Sequence, residues 1–325
     1  MQLCMERHGR NAAAAQPASR EGTRLQSFVS PLVLAAALTA ALTTAAAAIA
    51  AAPLEPGYAA GIEQWRRDFD ADVRTGGWLT LVDRVPLAPG SHRIGSGADC
   101  EIRLPAPAPR WLGTLLRQGD SFRFDPAGGA EVLLDEAWIH RDSALGTAPG
   151  TGRLRAGRFE LHARRVGDDF YLFVIDEQSP AIARFQGNDW YPIDPAYRIA
   201  ARFEPYATAQ KVRVPLSHVD SKEEMTSSGD VVLELAGRAV RLKTFTDDTG
   251  LFIMFQDATN GVTTYGGGRF LEAPAPKEGM TVLDFNKSFN PYCSLNPNVL
   301  CPIPPPENRL DLEVRAGEKF RGEPP

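Results

Sequence analysis

The sequence predicts a mainly all-β protein: two packed sandwich- or barrel-like β units, one N-terminal amphipathic helix and a long Pro/Asn-rich loop near the C-terminus. Three observations carry that prediction. From Trp78 onward, short apolar runs alternate with Gly-Asp and Gly-Gly turns at the spacing of a sandwich or barrel. Only one long stretch, Tyr58–Arg74, repeats its apolar residues at helical period. Finally, Asp284–Arg309 gathers two cysteines, five asparagines and six prolines into 26 residues, and neither period survives there.

Residues 1–52 are set apart by composition. Arg7, Arg10, Arg20 and Arg24 precede an uncharged run from Leu25 to Leu54, whose most apolar part has the length of a secretory h-region. The alanine-rich stretch that follows offers several Ala-x-Ala cleavage sites, so a signal peptide ending near Ala52 and a periplasmic or secreted mature chain are expected. An uncleaved inner-membrane anchor is the alternative; its alanines contribute little to insertion. Taking away the four arginines and two glutamates of residues 1–52 leaves a net charge of −7. An acidic chain of this kind lacks the basic surface that nucleic acid requires.

Residues 53–77 read as a linker and helix, with Ile62, Trp65, Phe69 and Val73 on one face and Gly76-Gly77 as the stop. Residues 78–185 read as a first β unit. Its strands are expected at Trp78–Val82, Ser91–Gly95, Glu101–Leu104, Gly113–Arg117, Ser121–Asp125, Glu131–Leu134, Arg158–Arg165 and Phe170–Ile175. Residues 186–325 read as a second. Strands are expected at Arg198–Phe203, Lys211–Pro215, Asp230–Leu235, Arg238–Phe245, Leu251–Gln256, Val262–Tyr265, Arg269–Glu272 and Thr281–Phe285, and the loop 284–309 follows.

No G-x-S-x-G elbow, Walker loop or H-E-x-x-H occurs, and no cofactor or metal is implied. His8, His92, His140, His162 and His218 have no ligand-like spacing and read as surface or satisfied structural residues. Tyr265-Gly266-Gly267-Gly268-Arg269 stands out: glycines permit close approach, and an arginine can clamp a carboxylate or phosphate. A buried Arg269–Asp pair is the structural account. The functional account is a polar pocket of Asp257, Tyr265, Arg269, Asp284 and Asn286. Its ligand contacts would come from Tyr265, Gly267, Arg269, Asn286, Asn290, Asn308 and Arg309, and Asp257 and Asp284 are its candidate catalytic acids. An oxidising compartment favours a Cys293–Cys301 disulfide over two free thiols, and the spacing disfavours zinc. Cys100 reads as a lone buried thiol.

Two resemblances add to this. His92 to Pro105, with its Gly95-Ser96-Gly97 turn and Asp99-x-x-Ile102-x-Leu104-Pro105 strand, resembles the opening of a forkhead-associated domain. Ser96 stands where that family has arginine, and Pro109 to Gly113 lacks its Ser-x-x-His, so the resemblance implies shape and not phosphopeptide binding. Asp284-Phe285-Asn286, Asn290-Pro291-Tyr292-Cys293, Cys301-Pro302-Ile303-Pro304-Pro305, Glu307-Asn308-Arg309-Leu310 and Ala316-Gly317-Glu318-Lys319 resemble the bacterial family called domain of unknown function 1684. So do Tyr265 to Leu271, Pro195-Ala196-Tyr197-Arg198 and Gly77 to Val82. The family implies no activity. Two readings therefore stand: a small-ligand-binding or scaffolding protein of the cell envelope, and a hydrolase of a small anionic or ester-like substrate.

Overall fold

The computed structural model describes residues 56–246 and 250–322; the expected signal peptide or anchor lies outside the described residues. Helix α1 (Tyr58–Thr75) buries Ile62, Phe69 and Val73, and Trp65 stacks on Phe69. It ends where Gly77 takes φ 89°, a left-handed conformation that glycine adopts without steric cost. Among the described residues, no helix is long and apolar enough to cross a membrane.

Alternating apolar residues and short turns then build eleven strands. They are β1 (Leu81–Pro86), β2 (Gly90–Gly95), β3 (Ile102–Arg103), β4 (Gly113–Gln118), β5 (Ser121–Pro126), β6 (Val132–Leu134), β7 (Ala137–Ile139), β8 (Ser143–Leu145), β9 (Leu154–Ala156), β10 (Phe159–Val166) and β11 (Asp169–Asp176). One sheet runs β1-β11-β10-β9-β6-β7 and the other β3-β2-β4-β5-β8. Ile94, Leu115, Phe122 and Phe124 of the second sheet share a core with Leu161, Leu172 and Val174 of the first. The β6–β7 hairpin was not expected, because Asp135 and Glu136 take its positive φ angles in place of glycine.

Strands β10 and β11 are buried along most of their length, on both faces. Phe159, Leu161 and Ala163 of β10 and Phe170, Leu172 and Val174 of β11 fill the sandwich. The intervening Tyr171 and Phe173 pack outward on Leu216 and Leu300. A sheet covered on both sides favours continuous apolar runs, yet β10 turns Glu160, His162 and Arg164 to this outer face.

A short helix α2 (Pro180–Arg184) leads, through β12 (Asp189–Trp190), into the second unit. Its strands are β13 (Arg198–Pro215), β14 (Lys222–Leu235), β15 (Arg238–Thr246), β16 (Gly250–Phe255), β17 (Arg269–Pro274) and β18 (Met280–Asp284), in the order β17-β16-β15-β14-β13-β18. They curl into a nearly closed barrel around Val231, Leu233, Leu242, Ile253, Phe255, Leu271, Leu283 and Phe285. Strand β19 (Glu318–Lys319) pairs back on β12. The expected break inside β13 is absent and β14 begins before the expected Asp230: β13 runs through an irregularity between Pro205 and Gln210, and β14, from Lys222, buries Ser227 and Gly229 in step with Val231. The expected strand Val262–Tyr265 is a turn, in which the Thr259 carbonyl accepts the N–H groups of Val262, Thr263 and Thr264.

The loop 284–309 is a clasp made by asparagine. Asn296 donates to the carbonyls of Trp78 at 2.8 Å and Leu81 at 2.7 Å, and Asn298 to that of Val82 at 3.0 Å. Asn308 fills a gap in the barrel, because β15 and β16 pair only at Phe245–Phe252 and Thr246–Leu251. Past that point its Oδ1 accepts from the Lys243 N–H, and its Nδ2 donates to the carbonyls of Lys243 and Met254. Irregular backbone can be buried only if such groups are paired. The expected Cys293–Cys301 disulfide is absent: Cys293, Cys301 and Cys100 are buried thiols that form no disulfide. A 3₁₀ turn at Tyr292–Ser294 aims the Cys293 N–H at the Cys301 sulfur, 3.4 Å away, so that the sulfur accepts a hydrogen bond.

Asn308→Ala should therefore lower stability by roughly 2–4 kcal/mol, since it strands one buried N–H and two carbonyls. Chemical denaturation of the two proteins measures it, and a loss below about 0.5 kcal/mol would mean that the clasp is not structural.

Candidate ligand-binding cavity

The residues singled out in the sequence are placed at the barrel end, mostly as internal ties. Arg269, at the start of β17, is fully buried. Its Nε and Nη2 donate to Asp257 Oδ2 at 3.1 and 2.7 Å, and Nη1 and Nη2 donate to the carbonyls of Ala316 and Val314 at 2.6 and 2.8 Å. The other carboxylate oxygen of Asp257 accepts from Thr259 N, Thr259 Oγ1 and Val314 N. Gly268 takes φ 102°, and a Cβ there would meet Pro304 and the Phe255 carbonyl within 3 Å, so its bareness admits the loop itself. Gly267 is hemmed by its own neighbour, the Tyr265 ring.

Asp284 lies in a different cluster. It accepts from Tyr58 Oη at 2.9 Å and from Asn286, whose amide also bonds both backbone groups of Asp194. Burial and the adjacent Asp284 push the Tyr58 hydroxyl well above the usual phenol range. Asp257 and Asp284 thus sit in separate hydrogen-bonded clusters, one on Arg269 and one on Tyr58 and Asn286, and neither lines the two cavities described below. Asn290 accepts from Tyr265 N, donates to the Lys319 carbonyl and gives its backbone N–H to Glu318. Arg309 is exposed, and its backbone bridges Gln256.

Tyr265 closes a polar cluster around the two thiols. Burial and Cys293 push its hydroxyl up to about 12. Contact with Cys301, opposed by burial, holds the Cys293 thiol below its ordinary value. Glu318 is the other perturbed group: burial pushes its carboxyl up to about 8, against the hydrogen bonds from Asn290. It borders a small cavity of about 160 Å³ beside Phe185 and Phe320.

The larger opening lies elsewhere. A cavity of about 760 Å³ separates the outer face of β9–β11 from the end of α1 and from Val299 and Leu300 of the loop. Its volume is that of a site for a small organic molecule. The Glu160 carboxylate lies 3.5 Å from Arg153, 3.6 Å from Arg155 and 3.6 Å from His162 Nδ1. His162 foremost, then the arginines, hold Glu160 below the usual carboxylate range, and burial pulls His162 down. The His162 ring stacks on Phe173. Two polar atoms of residues lining this cavity, Trp78 Nε1 and Arg153 Nε, are buried without a hydrogen-bond partner, and two more, Glu160 Oε1 and His162 Nδ1, meet only each other and Arg153 at 3.5–3.6 Å, longer than a good hydrogen bond. Native proteins leave few such atoms, and each calls for a reason.

Sequence reasoning missed this site. Glu160, His162 and Arg164 sit at every second position of β10, a weak signal of a polar stripe on a strand whose other face is apolar. That the stripe is covered, and by what, is a tertiary fact.

Residues 183–319 match the model of a family described as proteins of unknown function, DUF1684. The match covers the barrel unit and the loop; the Gly77 to Val82 segment that also resembled the family lies outside it. No curated protein matches the chain. A solution NMR structure of an uncharacterized protein from Haloarcula marismortui is similar at 28% identity, over 42% of this chain and 78% of that one, with a TM-score of 0.36.

Glu318 sets a pH dependence. Its pKa is about 8 in the fold against an ordinary 4.5, so the native state binds the proton more tightly. The stability tied to it is complete below pH 4.5 and is lost as pH rises through 8, at up to about 1.4 kcal/mol per unit. Between pH 5.5 and 7.5, Glu318→Gln should gain roughly 2–3 kcal/mol on the wild type. Denaturation at the two pH values measures this, and parallel losses in both proteins would contradict it.

Proposed function

We propose that this is an exported protein of the cell envelope that binds a small polar molecule in the cavity between the sandwich and the barrel. One observation carries the binding reading: residues lining a single cavity of ligand size hold four underpaired polar atoms, two of them (Trp78 Nε1 and Arg153 Nε) without a partner and two (Glu160 Oε1 and His162 Nδ1) in long ion-pair contact only. Buried polar atoms cost stability unless they are paired, and a ligand that pairs them recovers that cost as affinity. The two walls belong to different units, which is where ligand sites are commonly built. The loop supports this role indirectly. Its asparagines fix Val299 and Leu300 against the cavity and leave the ligand contacts to the sheet. Export rests on the sequence of residues 1–52, with its arginines, uncharged run and alanine-rich end.

The mature chain, screened for thermal stabilisation against a library of polar metabolites and cell-wall fragments, should yield compounds that raise its melting temperature. At 100 times its Kd, a ligand adds about 2.7 kcal/mol. Leu300→Trp, which fills the cavity from the loop side, should abolish the shift, whereas Arg309→Ala at the exposed end of the loop should preserve it. Equal shifts in the wild type and Leu300→Trp would place the binding site elsewhere.

A further inference from the structure

The charges around the cavity narrow its ligand. Arg153, Arg155 and Arg164 line it together with Asp72, Glu160 and Glu177, so the formal charges cancel. A dianion such as a phosphate ester would meet three carboxylates, and an amine alone would meet three guanidiniums. Neither is matched by a balanced wall. The underpaired atoms are of both kinds as well. Trp78 Nε1 and Arg153 Nε are donors only, and Glu160 Oε1 is an acceptor. Trp78, Glu160 and His162 are 5–6% exposed, so these atoms are enclosed and are not a solvated rim.

The spacing is as informative as the signs. Glu160 lies within 3.6 Å of both Arg153 and Arg155. Arg155 is also held by Glu136 at 3.2 Å, whereas the Nε of Arg153 has no partner, so it is Arg153 that keeps donors for a second carboxylate. A ligand that uses both sets must carry its own donor and its own carboxylate only a few ångströms apart. The α-ammonium and α-carboxylate of an amino acid have that separation.

Building on the reading of this cavity as a binding site, we propose that its ligand is a zwitterion of the α-amino-acid class. Its carboxylate docks on Arg153 with the Trp78 indole N–H, and its ammonium donates to Glu160 Oε1. The stacked His162 ring bounds the ammonium side. The remaining volume, toward Leu300 and the end of α1, receives the side chain or a second residue.

The test is calorimetric titration of the mature protein with the twenty free L-amino acids, and with the N-acetyl and amide derivatives of any that bind. At least one free amino acid should bind. N-acetylation and amidation should each weaken it at least tenfold. Glu160→Gln should weaken the free amino acid tenfold or more while changing the N-acetyl derivative by less than threefold. Arg153→Gln should give the reverse preference and weaken the amide less than the free acid. Thermal melts check that both variants are folded, and a variant that does not fold leaves the decision to the other. If no free amino acid binds, or if the blocked derivatives bind as well as the free ones, the proposal falls. Should library compounds sensitive to Leu300→Trp still be found then, the cavity remains a binding site for another class. If none is found, the binding reading falls with it.

Discussion

A single buried guanidinium organises the barrel end. Arg269 comes from a barrel strand, Asp257 from the turn after the neighbouring strand, and the carbonyls of Val314 and Ala316 from the segment that closes the chain. Ser288 of the loop also lies within hydrogen-bonding reach, and the Phe255 ring covers the guanidinium at 5.0 Å. A buried ion pair is a poor source of net stability, because desolvating both charges offsets most of their attraction. What it supplies is registry: every donor of Arg269 has one geometric solution, and that solution fixes three chain segments at once. From this anchor Ser288, Asn290 and Glu318 follow, and Glu318 closes the strand pair with Trp190.

The same fixing reaches the cavity through the loop. Tyr292 stacks on Trp78 with ring centres 3.9 Å apart, and Asn296 holds the carbonyls of that tryptophan and of Leu81. The loop thus positions one wall of the cavity while its own polar groups are spent on backbone. The opposing wall is the outer face of a sandwich sheet. There the apolar half, Tyr171 and Phe173, packs on Leu216 and Leu300, and the polar half, Glu160 and His162, remains incompletely paired. Packing at one end of the face keeps the polar end enclosed. This division between glue and site is what a ligand cavity between two units requires.

Much of the architecture was legible in the sequence, for identifiable reasons. The helix showed because Ile62, Phe69 and Val73 repeat at 3.6 residues, and the sandwich strands showed because Phe122 and Phe124, or Leu172 and Val174, alternate. The long hairpin of the barrel did not. Its buried positions include Ser227 and Gly229, which carry no apolar signal, and its far end is a polar ribbon. The loop announced itself by composition, but composition could not say whether asparagines bind ligand or backbone. Here they bind backbone. An Arg269–Asp pair was one of two accounts, with the aspartate, Asp257, not named, whereas the cavity residues were invisible, because residues 153–164 and Trp78 meet only after both units have folded.

The most direct test of this account is a ¹H–¹⁵N NMR titration of the mature protein with a compound that stabilises it, following the Trp78 indole N–H and the His162 ring. The account predicts that these two signals move most, together with the Leu300 amide, while the Arg269 guanidinium and the Trp138 indole on the far hairpin stay in place. Shifts centred on Arg269 and Tyr265, with Trp78 and His162 unmoved, would contradict it and return the site to the barrel end.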